Sequence, residues 1–194
     1  LGERVLQDID LSCVRLIFNG AEPISVSLCD EFMERMAAYG LARTAMYPVY
    51  GLAEATLAVT FPPPGSPYRS HTFHRHRLNP GSPTESAQAG SADGITLMNV
   101  GHPIPGTEVR IADPQGQPYD PGTVGRVLIR GANVTHGYYE APQINAETIS
   151  ADGWLDTGDL GVELDGDLYI TGRAKEIIFV NGQNYFPHDL ESIA

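Results

Sequence analysis

The chain has 194 residues, 42% of them hydrophobic, with 24 acidic residues against 12 Lys and Arg and a formal net charge of −12. That composition excludes a disordered chain, and the acidic balance excludes binding along a phosphate backbone, which requires clustered cations. With 21 Gly and 15 Pro as punctuation, many short strands and loops are expected rather than a helical bundle.

Cys13 and Cys29 fall on an expected strand and an expected helix without metal-ligand spacing, so both read as small buried hydrophobes in a reducing compartment. No apolar run approaches the roughly 20 residues of a membrane span and no signal peptide opens the chain, so a cytoplasmic location is expected. The start at Leu1-Gly-Glu-Arg without an initiator Met, and the stop at Ala194 within an apparent helix, read as a piece of a longer protein.

Val14 to Phe18 is an apolar run interrupted only by Arg15, as in a strand covered on both faces, and Asn19-Gly20-Ala21-Glu22-Pro23 breaks it. A helix is expected from Ser25 or Ser27 to Tyr39. Ser27 and Asp30 resemble a capping pair, Leu28, Phe32, Met33 and Met36 form the apolar stripe, and Gly40 supplies the stop. Thr44 to Tyr50 reads as a second strand. Strand, helix and strand with short connections imply a right-handed parallel crossover, which brings both strand ends to one edge, where ligands of open α/β sheets bind. That edge carries Gly20-Ala21-Glu22 and Tyr50-Gly51-Leu52-Ala53-Glu54. Glycine lets the backbone approach a base edge, Tyr50 offers a stacking face and the Glu54 carboxylate suits Mg²⁺. The alternative is a core aromatic at Tyr50 and the first acid of a helix at Glu54.

From Phe61 to Gly94 the chain is rich in Pro, Gly, Ser and Ala and reads as loop or inserted hairpin. It contains Arg69-Ser-His-Thr-Phe-His-Arg-His-Arg77, a concentrated positive patch. His74 and His76 share one strand face, but no Cys, Asp or third His stands at a useful spacing, which favours a solvated strand over a metal site. A docking surface for an acidic partner such as a carrier protein is a third reading. Leu97 to Val100, Thr107 to Ala112 and Gly125 to Arg130 are short strands, with turns at Asp113-Pro-Gln-Gly116 and Asp120-Pro-Gly122, and together they indicate a small barrel or curled sheet.

Leu160 to Leu164 and Leu168 to Thr171 flank Asp165-Gly166, a two-residue hairpin signal. Antiparallel pairing would bring Asp156 and Asp159 to the same end as Arg173 and Lys175. Carboxylates beside a guanidinium suit the hydroxyls of a ribose and a phosphate; the alternative is a surface hairpin with a cross-strand ion pair. Ile177 to Val180 reads as a further strand, Asn181-Gly182 as a turn, and Pro187 as the first turn of a helix running through Ile193.

Four segments together resemble, in the family's order, the motifs of the adenylate-forming superfamily of acyl-CoA synthetases, nonribosomal peptide adenylation domains, fatty acyl-AMP ligases and luciferases. They are Asn19-Gly-Ala-Glu-Pro23, Tyr50-Gly-Leu-Ala-Glu-Ala-Thr56, Trp154-Leu-Asp-Thr-Gly-Asp-Leu-Gly161 and Thr171-Gly-Arg-Ala-Lys-Glu-Ile-Ile178. The second is most similar to the fatty acyl-AMP ligase branch. The resemblance implies an adenine pocket at Gly20, Ala21 and Glu22, a base contact at Tyr50 and Gly51, and Mg²⁺ on Glu54. It further implies ribose hydroxyls on Asp159, a nucleotide contact at Arg173 and a hinge at Lys175.

The fold class it implies is α/β plus β: the end of a parallel α/β subdomain (1–94), a small β-barrel subdomain (95–172), then the hinge and start of a C-terminal lid domain (173–194). ATP and Mg²⁺ are the implied cofactors, a carboxylic acid, most simply a fatty acid, the substrate, and acyl-AMP the product. The implied acceptor is a phosphopantetheine thiol of an acyl carrier protein, or CoA, in polyketide, nonribosomal peptide or lipid biosynthesis. An acyl-CoA synthetase and a noncatalytic interaction or regulatory domain of the same fold are the competing readings. Ala53 departs from the Thr that many members carry before the glutamate, which leaves Thr56 as a possible substitute for that hydroxyl. The family's Gly-rich phosphate loop with its lysine does not occur in this chain, so the chain alone is expected to have little or no turnover.

Overall fold

A computed structural model describes residues 9–180 and 183–185. Strand β1 (Ile17–Asn19) leads through helix α1 (Val26–Ala37) into β2 (Met46–Pro48), and the two strands pair in parallel with Ile17 opposite Met46. The crossover is as expected, but β1 is not covered on both faces. Phe18 is 61% exposed: its ring meets the edges of Tyr47 and Phe61 at 5.2 and 5.8 Å between centroids, and among the described residues β1 pairs with β2 alone.

Helix α1 is capped by Ser25, one of the two expected starts, and not by the Ser27–Asp30 pair two residues on. Ser25 Oγ accepts from Leu28 N at 3.3 Å, Ser27 Oγ lies 3.1 Å from Ser25 Oγ, and Asp30 turns to Tyr68 and Arg43. With the cap at Ser25, the inward face is Val26, Cys29, Met33 and Met36, spaced as one side of a helix, and it packs on Leu41 and Met98. Of the expected stripe, Met33 and Met36 lie on this face, whereas Leu28 and Phe32 are exposed. Cys29 is buried as expected, but Cys13 sits in an exposed turn, which corrects its reading as a buried residue.

Beyond β2, two short antiparallel pairings frame the Pro-rich region: β3 (Thr60–Phe61) and β4 (Ser70–His74) pair with segments that come later in the chain. These are β5 (Gly94–Met98), the partner of β4, and β6 (His102–Pro103), the partner of β3. The inserted-hairpin reading of 61–94 thus resolves into arms 70–74 and 94–98 around a loop, anchored by Phe73, which is 1% exposed.

Next come β7 (Thr107–Ala112), β8 (Gly125–Gly131), the short helix α2 (Pro142–Thr148), β9 (Leu155–Leu164) and β10 (Asp167–Arg173). The four strands form an antiparallel sheet in the order β10-β9-β8-β7. Along β10 the segment after β5 adds further pairing: Val100 N donates to the Leu168 carbonyl at 3.0 Å and Leu168 N to the Gly101 carbonyl at 2.9 Å, so among the described residues the region expected as a small barrel or curled sheet is a four-stranded sheet extended on its β10 side. A core of Ala55, Val59, Val100, Ile129, Leu155 and Leu168 fastens the 50–60 segment to this sheet, and that packing carries the end of β2 toward β9 and β10.

The chain continues into β11 (Ile178–Val180) and β12 (Gln183–Tyr185), paired antiparallel with Ile178 opposite Tyr185. The Asn181-Gly182 turn, the helix expected from Pro187 to Ile193 and the opening Leu1-Gly-Glu-Arg lie outside the described residues. No helix among the described residues is long and apolar enough to cross a membrane.

Candidate functional site

The site is built first by a defect in the sheet. Strands β9 and β10 join through Asp165 (φ +54) and Gly166 (φ +83), and their register sets Arg173 opposite Asp159. On its other side β9 pairs with β8 so that Asp156 faces Leu128 and Leu160 faces Arg126. Thr157, Gly158 and Asp159 are then left facing Val127 alone, and the strand bulges. Each bulge residue has a task. Thr157 Oγ1 donates to the Val127 carbonyl at 2.8 Å, and Gly158 adopts φ +77, where a side chain would be strained. Asp156 Oδ1 accepts from Gly158 N at 2.9 Å, and Asp159 N donates to Thr157 Oγ1 at 3.1 Å.

The bulge aims Asp159 at the end of β2. Its Oδ2 accepts from the Tyr50 hydroxyl at 2.7 Å and its Oδ1 lies 3.3 Å from Arg173 Nε. Asp159 is 7% exposed, and burial raises its pKa against the opposing pull of the Tyr50 hydrogen bond and the Arg173 charge. Burial also pushes the Tyr50 phenol well above its ordinary value, so Tyr50 stays a donor. Asp156 goes elsewhere, into an ion pair with Arg126. The expectation that both aspartates meet Arg173 and Lys175 therefore holds for the Asp159–Arg173 pair only, because the bulge turns Asp156 and Asp159 to different neighbours. Lys175 is exposed just beyond, where Ala174 N donates to the Gly158 carbonyl at 2.9 Å.

The two glycine-containing segments at the β1/β2 edge converge on the same place. Val49 N donates to the Asn19 carbonyl at 2.9 Å, which ties Asn19-Gly20 to the residue before Tyr50. Gly20 is half-buried, while Ala21, at φ +70, and Glu22 are exposed. The Tyr50 ring is 8% exposed and belongs to the core cluster, so its core-aromatic reading is met while its hydroxyl serves Asp159. Gly51 passes so near the returning chain that a Cβ would stand 2.0 Å from the Leu57 carbonyl oxygen.

Glu54 lies in a 3-10 turn (Ala53–Ala55) rather than at the start of an α-helix. The following Thr56 (φ +52) and Leu57 (φ +67) are both left-handed and reverse the chain, with Leu57 N donating to the Leu52 carbonyl at 3.0 Å. Such a pair of non-glycine residues persists only where the surroundings hold it. The holder is the 133–138 segment, which sequence reasoning did not assign to the site. Asn133 Nδ2 donates to the Ala58 carbonyl at 2.7 Å, Thr135 N to the Glu54 carbonyl at 2.7 Å, and the Tyr138 hydroxyl to Glu54 Oε1 at 2.8 Å. Thr56 Oγ1 donates to the Asn133 carbonyl at 3.0 Å, so the hydroxyl considered as a substitute for the one missing at Ala53 is engaged in holding this turn. The signal available in sequence was the cluster of turn formers after β8.

The basic strip also differs from a plain solvated strand. Asp93 reaches both His74 and His76, a partner not evident from spacing because the β4–β5 pairing supplies it. Arg77 pairs with Glu85 at 2.9 Å and Arg69 with Asp167 at 2.7 Å, so the strip carries its own counter-charges.

The buried carboxylate and the guanidinium thus stand at the edge of the parallel strand pair, the place where open α/β sheets take ligands. Residues 3–139 match the family model for AMP-binding enzymes, and the chain belongs to that family. It is 41% identical to the 4-hydroxyphenylalkanoate adenylyltransferase of Mycobacterium tuberculosis, over 95% of this chain and 31% of that protein. With the long-chain-fatty-acid–AMP ligase FadD26 of the same species it shares 39% identity, over 95% of this chain and 33% of that one. Among solved structures, one from a study of fatty acyl-adenylate ligases of E. coli and L. pneumophila superposes with a TM-score of 0.90 at 36% identity, covering 100% of this chain and 35% of the other. The L. pneumophila fatty acyl-adenylate ligase in complex with acyl adenylate and pyrophosphate matches with a TM-score of 0.82 at 33% identity, over 89% of this chain and 31% of that one. The chain spans about a third of the length of the curated relatives it matches.

Proposed function

We propose that this chain is the nucleotide-holding third of a fatty acyl-AMP ligase, which activates a carboxylic acid with ATP and hands the acyl group to the phosphopantetheine thiol of a carrier protein. The observation that carries the reading is the buried Asp159 carboxylate, held between the Tyr50 hydroxyl and Arg173 at the β2 edge. A carboxylate fixed on a bulge can accept from two vicinal ribose hydroxyls, and Arg173, 62% exposed, is free to swing onto a phosphate or ring oxygen. Gly20, Ala21 and Glu22 with Tyr50 and Gly51 bound the base.

Glu54 fits a hard cation: it is a half-buried carboxylate whose position is set by Tyr138. Mg²⁺ held there would neutralise phosphate charge as the acid oxygen attacks the α-phosphorus and pyrophosphate leaves. Lys175, exposed just past Arg173, is the pivot about which a lid would turn to present the acyl-adenylate to the thiol, with 1–94, 95–172 and 173–194 as the units of that division.

An acyl-CoA synthetase is the second reading, since the same half-reaction precedes transfer to CoA. The test is ATP–pyrophosphate exchange by the polypeptide containing this chain, screened against fatty acids of graded length, followed by transfer to CoA or to a holo-carrier protein. The expected result is acid-dependent exchange that Asp159→Ala abolishes, with the carrier acylated and CoA not. Exchange that no acid supports would overturn the function, and acylation of CoA alone would replace it with the second reading.

A further inference from the structure

Away from the Asp159 cleft, three side chains converge on one point. His74 ends β4, His76 sits in the 3-10 turn that follows (Arg75–Arg77), and Asp93 immediately precedes β5. The β4–β5 register pairs His74 with Gly94, so the loop from 75 to 93 leaves and returns at the same spot. Main-chain bonds fix that closure: Arg75 N donates to the Asp93 carbonyl at 2.9 Å and His74 N to the Glu85 carbonyl at 2.8 Å.

Asp93 Oδ2 then lies 2.9 Å from His74 Nδ1 and 2.8 Å from His76 Nδ1, and the two rings stand 5.4 Å apart between centroids. Two imidazole nitrogens addressing a single carboxylate oxygen is more than an isolated ion pair needs. The three ligand atoms fall within 4.8 Å of one another. In a tetrahedral zinc site with bonds of about 2.0–2.1 Å, neighbouring donors stand about 3.3 Å apart. Small side-chain shifts therefore suffice to place a cation among the three, without moving the backbone.

We propose that His74, His76 and Asp93 form a binding site for a divalent transition cation of the zinc type, which clips together the two ends of the 75–93 loop. Two imidazole nitrogens and a carboxylate oxygen suit Zn²⁺, Ni²⁺ or Cu²⁺ and do not suit Ca²⁺ or Mg²⁺, which take oxygen shells. Side-chain exposures of 34% for His74 and 47% each for His76 and Asp93 leave a fourth position to water and a path for entry. The site shares no residue with the proposed nucleotide cleft and stands or falls separately from it.

The experiment is calorimetric titration of this chain with Zn²⁺ at neutral pH in a Cys13→Ser background, which removes the exposed thiol. One Zn²⁺ per chain is expected, with Asp93→Asn and His76→Ala each weakening it by about tenfold or more, since each deletes one of three ligands. A second readout follows the loop itself: Zn²⁺ should slow tryptic cleavage after Arg77 in the parent and leave the rate in Asp93→Asn unchanged. Absence of one-site binding, or variants that keep the parental affinity and the Zn²⁺-dependent protection, would mean that Asp93 only pairs the two histidines across the hairpin and would overturn the site.

Discussion

Asp159 is held by forces that oppose one another. Burial favours its neutral form, while the Tyr50 hydroxyl and Arg173 favour the charge, and burial is the larger influence. A carboxyl whose pKa is raised on folding contributes stability only below the unfolded value, and that contribution is lost as pH rises through the folded value. At neutral pH the ionised side chain therefore costs stability. Asp159→Asn keeps the size and an acceptor for Tyr50, and it is expected to raise the thermal midpoint by a few degrees at neutral pH. The gain should vanish below about pH 4, near the ordinary aspartate value. Melting curves across pH check this; a lower midpoint at neutral pH would show that the Arg173 pair dominates instead.

Tyr138 is the complementary case, an exposed residue whose hydroxyl fixes Glu54. At a site this exposed, losing one hydrogen bond is worth about 0.5–1.5 kcal/mol, or about twofold to tenfold in an equilibrium. Tyr138→Phe in the full-length enzyme is expected to raise the half-saturating Mg²⁺ concentration by about threefold to tenfold with little change in melting. Unchanged Mg²⁺ dependence would remove Tyr138 from the site.

At the scale of elements, what the sequence made legible depended on how local the cause was. The Asp165-Gly166 hairpin, the parallel crossover and the strand at 125–130 were readable because turn chemistry and apolar runs act within a few residues. The stripe on α1 was half legible: Met33 and Met36 lie on the buried face, whereas Leu28 and Phe32, each one residue before the buried Cys29 and Met33, are rotated about 100° away from it. Asp93 could not be matched to His74 and His76 from spacing, since a β-pairing supplies the contact. Likewise, the bond from Asn133 to the Ala58 carbonyl spans a long stretch of chain and has no local signature.

The 50–58 turn is the element on which both halves of the site depend, and Gly51 is its tightest point. Gly51→Ala puts a methyl group 2.0 Å from the Leu57 carbonyl oxygen, so the turn must open. A loss of about 2–3 kcal/mol is expected, which for a chain of this size lowers the melting temperature by about 5–10 °C. A midpoint unchanged within about a degree would show that the turn is slack.

Across the whole molecule, segments that lie far apart in sequence bring Tyr50, Asp159 and Arg173 together because the core formed by Ala55, Val100 and Leu155 locks the β2 end against the antiparallel sheet. The resemblance of those segments to adenylate-forming enzymes anticipated the family, and the match over residues 3–139 bears it out. Composition alone carried little of this: acidity argued against nucleic acid, and the Gly and Pro content pointed only to many short elements. Strand spacing alone does not distinguish a curled sheet from a small barrel, which is why both were expected of this region.

The most direct measurement is a crystal structure of the full-length polypeptide with a non-hydrolysable acyl-adenylate. The account predicts the ribose hydroxyls on Asp159, the base between Gly20-Ala21-Glu22 and Tyr50-Gly51, and Arg173 turned toward the nucleotide. An adenylate bound elsewhere, with the Tyr50–Asp159–Arg173 contacts unchanged and no ligand atom against them, would contradict it.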